Sequence, residues 1–190
     1  MQISINHQSI LNIYFINEVN IVFSIKELRK RKAYTRIVKW NNNADNEPDE
    51  IKRFIFRWIS FNGLYSVLYS MQFGQNMTEN AHENDKMEYF FNNFILPNVI
   101  PAVEIYSDSL KNIFKKEIKI DNRGIGVLLK NLDCEEKIEV KARIMIKIAY
   151  KVRCRLFHGE KTPLLDVNEK VSNAADQVIT PILNYFIKTQ

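Results

Sequence analysis

The stretch FIFRWISFNGLYSVL, residues 54–68, decides the fold class of this chain. Its large apolar side chains recur at steps of three and four residues, which is the spacing of one face of an α-helix. They are Phe54, Trp58, Phe61, Leu64 (or Tyr65) and Leu68. The pattern predicts a helix over residues 49–73 that begins at Asp49 or Pro48 and buries this face in the core. A platform on which nucleobases stack is the alternative for so many aromatic rings.

Helical spacing also dominates the second half of the chain. Four apolar residues follow one another at steps of four: Ile144, Ile148, Val152 and Leu156. They predict a helix over residues 134–155, and a similar pattern predicts a last helix over residues 166–188. Shorter helical patterns cover residues 25–40, 85–94 and 102–116. The sequence therefore predicts an all-α bundle of four to five helices, with a short irregular or β insertion near residues 117–132.

The 190 residues fit one domain with an N-terminal appendage. Residues 1–23 show no clear period and are interpreted as an N-terminal extension of uncertain structure. Residues 24–48 combine a basic helix with an acidic linker, because NNNADNEPDE at residues 41–50 is polar and contains proline. The helical domain is then expected over residues 49–190, with a polar loop at residues 74–84.

The charge of the chain is concentrated in two segments. Residues 24–40 hold seven basic residues and one acidic residue, and residues 141–155 hold six basic residues and no acidic one. Each segment thus carries a net charge of +6, whereas the whole chain carries only +5 and the remainder −7. Such asymmetry is typical of proteins that bind a polyanion.

Several classes of protein lack support in the sequence. The two cysteines are too few for a disulfide framework, and neither forms a cluster with histidine that could hold zinc. Glycine-rich phosphate loops and zinc-protease motifs do not occur, so we expect no metal and no cofactor. Because no apolar run is long enough for a membrane span, we expect a cytoplasmic protein without membrane contact.

One pair of residues near the end of the second basic segment is suited to phosphate chemistry. Arg153 and His158 are five residues apart, which on a continuous helix places them about 140° apart in projection. If the helix ends at His158, before Gly159, the two side chains can converge on one cleft. Arginine would then hold a phosphate by its planar fork while histidine moves a proton. The alternative is a structural pair of cations at the negative end of a helix dipole.

Residues 150–161, YKVRCRLFHGEK, together with residues 54–65, FIFRWISFNGLY, resemble the HEPN superfamily and most closely its Apea-like branch. Members of that superfamily are α-helical bundles with an R-x4-6-H motif at the end of a late helix. The resemblance covers about residues 49–188 and identifies Arg153 and His158 as the motif pair. The position after the motif arginine is often Asn, Asp or His in the superfamily, and here it is Cys154. Arg155 stands where a small polar residue is common.

The resemblance implies an endoribonuclease that works without a metal ion and acts as a toxin or a phage-defence factor. In such an enzyme the 2′-hydroxyl of RNA attacks the adjacent phosphorus and leaves a 2′,3′-cyclic phosphate. It also implies a homodimer in which two motif helices form one composite active site, and a partner such as an antitoxin or a nucleotidyltransferase. A catalytically inactive HEPN-like module that binds RNA, a nucleotide or another protein is the alternative.

Further residues are assigned to the same site by their position beside the motif. The expected substrate-binding residues are Arg155, Lys151, Tyr150 and Lys147. Asn62, among the aromatic residues of the first core helix, is expected to support the catalytic pair, with a buried structural amide as the alternative. The basic residues 26–39 are either a solvated helix face or an arm that holds RNA.

Overall fold

The chain folds into α-helices in a computed structural model that describes residues 25–97, 100–118, 124–157 and 165–188. No strand occurs in these ranges, which confirms the predicted all-α fold. The helices are α1 (Lys32–Asp45), α2 (Glu50–Phe73), α3 (Gln75–Asn80), α4 (Glu83–Phe90), α5 (Ala102–Ile105), α6 (Asp108–Glu117), α7 (Ile125–Cys134), α8 (Ile138–Phe157) and α9 (Leu165–Lys188). A π-helical turn, Phe91–Ile95, extends α4, and residues 25–29 form a helical turn ahead of α1.

Four long helices form the body of the domain, and the shorter ones fill its edges. α1, α2, α8 and α9 have 14, 24, 20 and 24 residues, whereas the other described helices have ten or fewer. The shorter helical patterns predicted over residues 85–94 and 102–116 correspond to α4 with its π-helical turn and to α5 and α6, whereas α3 and α7 were not predicted. None of the helices in the described part of the chain is long and apolar enough to cross a membrane.

Helix α2 lies at the centre of the core. Asp49 caps its start by accepting hydrogen bonds from the backbone N–H groups of Ile51 and Lys52, as expected for an N-cap aspartate. The aromatic and leucine side chains of the predicted stripe are all at most 3% exposed. They are therefore core residues, and the stacking-platform alternative for this stripe is wrong.

A buried arginine ties α1, α2 and α9 together. Arg57, which is 3% exposed, donates to Asp176 Oδ1 at 3.0 Å, to Asn41 Oδ1 at 2.6 Å and to Asp45 Oδ1 at 2.8 Å. The guanidinium is thus satisfied on three sides, which a buried charge requires. The bonds also fix α1 beside the first half of α2.

Three segments differ from their prediction. Residues 41–45, expected in a linker, continue α1, and residues 75–80 of the expected polar loop form α3. In the expected irregular or β insertion near residues 117–132, α7 begins at Ile125 because Ile125, Leu129 and Leu132 bury one helical face. Gly124, at φ +95°, supplies the left-handed turn before it. The predicted extension at residues 1–23 lies outside the described residues.

Candidate active site around Arg153

Arg153 lies in the last described turn of α8, at the edge of the domain. Its guanidinium lies over the ring of Phe157, 5.0 Å from the ring centroid, and its Nη1 is 3.7 Å from Glu83 Oε2. The Nε atom is buried and has no hydrogen-bond partner among the described residues. The side chain is therefore held on two sides and keeps one donor unused. His158, the other half of the predicted pair, lies outside the described residues.

The carboxylate of Glu83 connects Arg153 with α2. Its Oε1 accepts hydrogen bonds from Asn62 Nδ2 at 3.0 Å and from Tyr65 Oη at 2.6 Å. The Asn62 amide also donates to Tyr65 Oη at 2.8 Å. The structure therefore brings Asn62 to the neighbourhood of Arg153, with Glu83 between them.

Tyr65 is held in its neutral form in this cluster. Burial raises the pKa of its hydroxyl above the usual value, and the hydrogen bond to the Glu83 carboxylate raises this pKa further. Because the hydroxyl keeps its proton at physiological pH, it remains a hydrogen-bond donor to the Glu83 carboxylate. Tyr65 thus contributes to fixing the position of Glu83.

Tyr150 and Cys154 occupy the face of α8 beside Arg153. The Tyr150 ring packs against Trp58, with 5.8 Å between the ring centroids, and its side chain is partly buried. Burial and a hydrogen bond with Cys154 raise the pKa of the Tyr150 hydroxyl to about 12. Cys154 also accepts a long contact from Arg153 Nη1 at 3.9 Å. The cysteine, which departs from the family pattern, thus has polar contacts with two predicted site residues.

Lys147, another predicted substrate-binding residue, lies apart from this cluster. Lys147 pairs with Glu88 Oε1 at 3.0 Å, and Arg143 makes a second ion pair with the same carboxylate. Burial raises the pKa of Glu88, but the hydrogen bonds from Arg143 and Lys147 outweigh it and lower the pKa below the usual value. Lys151 is exposed and Arg155 is partly exposed. Lys147 therefore belongs to a second ionic group, centred on Glu88.

Helix α4 organises both ionic groups, which sequence reasoning missed. Its Glu83 pairs with Arg153 and its Glu88 with Arg143, so α4 runs antiparallel to α8 along the basic segment. The sequence predicts a polar loop over residues 74–84, which includes Glu83, and nothing in the local sequence connects Glu83 with a residue far along the chain. Only the packing of α4 against α8 reveals that these two carboxylates offset part of the basic charge.

No site for a metal ion is evident in the described ranges, where no three His, Cys, Asp or Glu side chains come together. No family model matches this chain, and neither does a curated protein or a solved structure. The resemblance to the HEPN superfamily therefore remains a sequence-based prediction.

Proposed function

We propose that the protein is a metal-independent endoribonuclease of the HEPN type, acting in the cytoplasm as a toxin or defence factor. One observation carries the proposal: Arg153, near the end of a basic helix, is partly exposed and is oriented by Glu83 and Phe157. A partly exposed arginine that is held in place within a basic segment is suited to bind one phosphate.

The proposed reaction is transesterification at phosphorus. The 2′-hydroxyl loses its proton and its oxygen forms a bond to the adjacent phosphorus, while the bond from phosphorus to the 5′-oxygen of the next nucleotide breaks. That oxygen takes up a proton, so the products are a 2′,3′-cyclic phosphate and a 5′-hydroxyl. His158 acts as general base or acid, and Arg153 stabilises the negative charge that develops on the phosphorane.

We further propose that two copies of α8 face each other and form a composite cleft, as the family resemblance implies. The basic segments of both copies would then surround one RNA strand. Lys151, which is exposed, and Arg155 would contact phosphates, and Tyr150 would donate a hydrogen bond as a neutral hydroxyl. Because like charges repel, RNA binding and dimerisation would support each other.

A catalytically inactive RNA- or nucleotide-binding module is the second candidate. The observation that favours it is the ion pair of Arg153 with Glu83, because a guanidinium that already faces a carboxylate binds a phosphate less strongly. The same bundle could then serve as a partner of another protein, for example a nucleotidyltransferase, whereas an antitoxin would be a partner of the active toxin.

Cleavage of RNA in excess EDTA separates the two candidates. We expect the wild-type protein to cleave, and the variants Arg153→Ala and His158→Ala each to lose at least about 100-fold in rate, because each removes a catalytic group. The matched control is Lys130→Ala, which removes an exposed cation from α7. All variants should keep the wild-type helical circular dichroism spectrum. Binding of RNA without cleavage by the wild-type protein would favour the inactive module.

A further inference from the structure

A groove opens between α1, α2 and α3, beside the Arg153 cluster. Its volume is about 390 Å³, which lies within the range of small-molecule sites. α1 and α2 come close to each other at its floor, where a Cβ atom on Gly63 would meet Ile37 Cγ1 at 3.2 Å. The groove is therefore built into the packing of two long helices.

The two sides of the groove differ in chemistry. α1 contributes Trp40, Ile37 and Arg36, whereas α2 contributes Asn62, Ser66 and Ser70 at successive i+4 positions, together with the apolar Ile59 and Val67. No Asp or Glu is among the residues that line the groove. A groove that combines an indole and other apolar side chains with a row of amide and hydroxyl groups fits a planar ring whose edge forms hydrogen bonds.

Trp40 and Arg36 lie where they could contact the base and the phosphate of one nucleotide. Trp40 is partly exposed and its ring is braced by Phe56, with 5.3 Å between the ring centroids. Arg36 lies one turn earlier on the same face of α1 and is exposed. It has no ion-pair partner within the described part of the chain. A base can stack on the indole while the guanidinium contacts the attached phosphate.

Asn62 joins this groove to the candidate active site. Its side chain lines the groove and also donates to Glu83 Oε1, whose other oxygen faces Arg153. The groove is thus two polar contacts away from the guanidinium proposed to bind the cleaved phosphate. A neighbouring nucleotide of the same strand is therefore the ligand best matched to the position and the chemistry.

We propose that the α1–α2–α3 groove binds one unpaired nucleotide of the RNA strand next to the cleaved phosphate, with the base on Trp40 and its phosphate on Arg36. This inference rests on the proposed function and names the part of the fold that selects single-stranded substrate. It also gives the first basic segment a specific role, since Arg36 belongs to it.

Tryptophan fluorescence tests the groove directly. The probe is a short single-stranded 2′-O-methyl RNA, which cannot be cleaved because its 2′-oxygen is blocked. We expect the probe to quench the fluorescence of the wild-type protein. An oligonucleotide of equal length with abasic positions should bind without this quenching. In Trp40→Leu, which keeps an apolar side chain against Phe56, the quenching should vanish and the affinity should fall about 10-fold or more.

Arg36→Ala provides the second arm of the experiment. We expect the slope of log K against log salt to become shallower by about 0.7, the loss of one phosphate contact with a single strand. Lys130→Ala removes the same charge outside the groove and should leave the quenching unchanged. Urea unfolding of each variant verifies that the fold is retained.

The possible outcomes separate this inference from the proposed function. If the probe binds without quenching the fluorescence, the assignment of the groove as a nucleotide-binding site is overturned, even if unmethylated RNA is cleaved. Quenching by adenosine monophosphate at concentrations as low as those of the oligonucleotide would make the groove a free-nucleotide site and overturn its assignment to the strand. If the probe does not bind and unmethylated RNA is not cleaved, both proposals are overturned.

Discussion

The side chain of Glu83 links Arg153 on α8 to Asn62 and Tyr65 on α2. It accepts hydrogen bonds from Asn62 and Tyr65 with one oxygen and faces the guanidinium with the other. Arg153 could be selected from the sequence only through the family resemblance, because an arginine a few residues before a histidine is by itself a weak signal, and Asn62 could be selected as an amide among aromatic residues. Glu83 could not, because its contacts depend on the packing of three helices.

Replacing Glu83 by glutamine is predicted to misplace Arg153 without unfolding the domain. Glu83→Gln keeps the volume but removes the charge, so we expect kcat for RNA cleavage to fall about 10- to 100-fold with a smaller change in KM. The matched change is Glu88→Gln on the same helix, which releases Arg143 and Lys147 instead. We expect Glu88→Gln to lower KM, because two cations become available to RNA. Equal effects of the two changes on kcat would contradict a positioning role for Glu83.

The stability of the fold is predicted to fall at alkaline pH because of the environment of Tyr150. An unfolded tyrosine ionises near pH 10, whereas the pKa of folded Tyr150 is raised to about 12. Between these values the folded state binds more protons, so stability that is complete below about pH 10 is lost as the pH rises towards about 12. Unfolding by urea at stepped pH, followed by circular dichroism, measures this loss. Tyr150→Phe should weaken the pH dependence in this window, and an unchanged slope would contradict the assignment.

At the level of the helices, periodicity predicted the long elements and the helical segments near residues 85–94 and 102–116, and it failed on α3 and α7. The α2 stripe from Phe54 to Leu68 was predicted correctly because each of its members is buried on one face. α7 was missed because Gly124 and Gly126 suggested an irregular segment, although Ile125, Leu129 and Leu132 already have helical spacing. The linker prediction at residues 41–45 failed because Asn41 and Asp45 are polar for a tertiary reason: they bind Arg57.

Arg57 is predicted to be the most sensitive polar residue in the helical framework. Arg57→Ala leaves the buried carboxylate of Asp176 without its main partner, so we expect a loss of about 3–5 kcal/mol in the free energy of unfolding. Arg53→Ala is the matched control, because Arg53 is more exposed and lies 3.8 Å from the same carboxylate. Its effect should be clearly smaller. Urea denaturation measures both values, and a loss below about 1 kcal/mol for Arg57→Ala would contradict the structural role.

At the scale of the whole molecule, the structure shows where the two basic segments of the chain lie. The second basic segment lies on α8, where Glu83 and Glu88 of α4 offset part of its charge and leave Lys151 exposed. The first segment lies along α1 and contributes Arg36 to the groove next to Asn62. The sequence predicted both segments, but their relation through α2 and α4 is a property of the folded chain. We infer that RNA would run from the α1 groove towards the end of α8.

The chemistry of the RNA ends after cleavage in excess EDTA tests the central claim most directly. A synthetic RNA is incubated with the wild-type protein, and the masses of the products are determined. We predict fragments that end in a 2′,3′-cyclic phosphate and fragments that begin with a 5′-hydroxyl, because the 2′-hydroxyl is the nucleophile. Products with a 3′-hydroxyl and a 5′-phosphate, or cleavage that EDTA abolishes, would contradict the proposed mechanism.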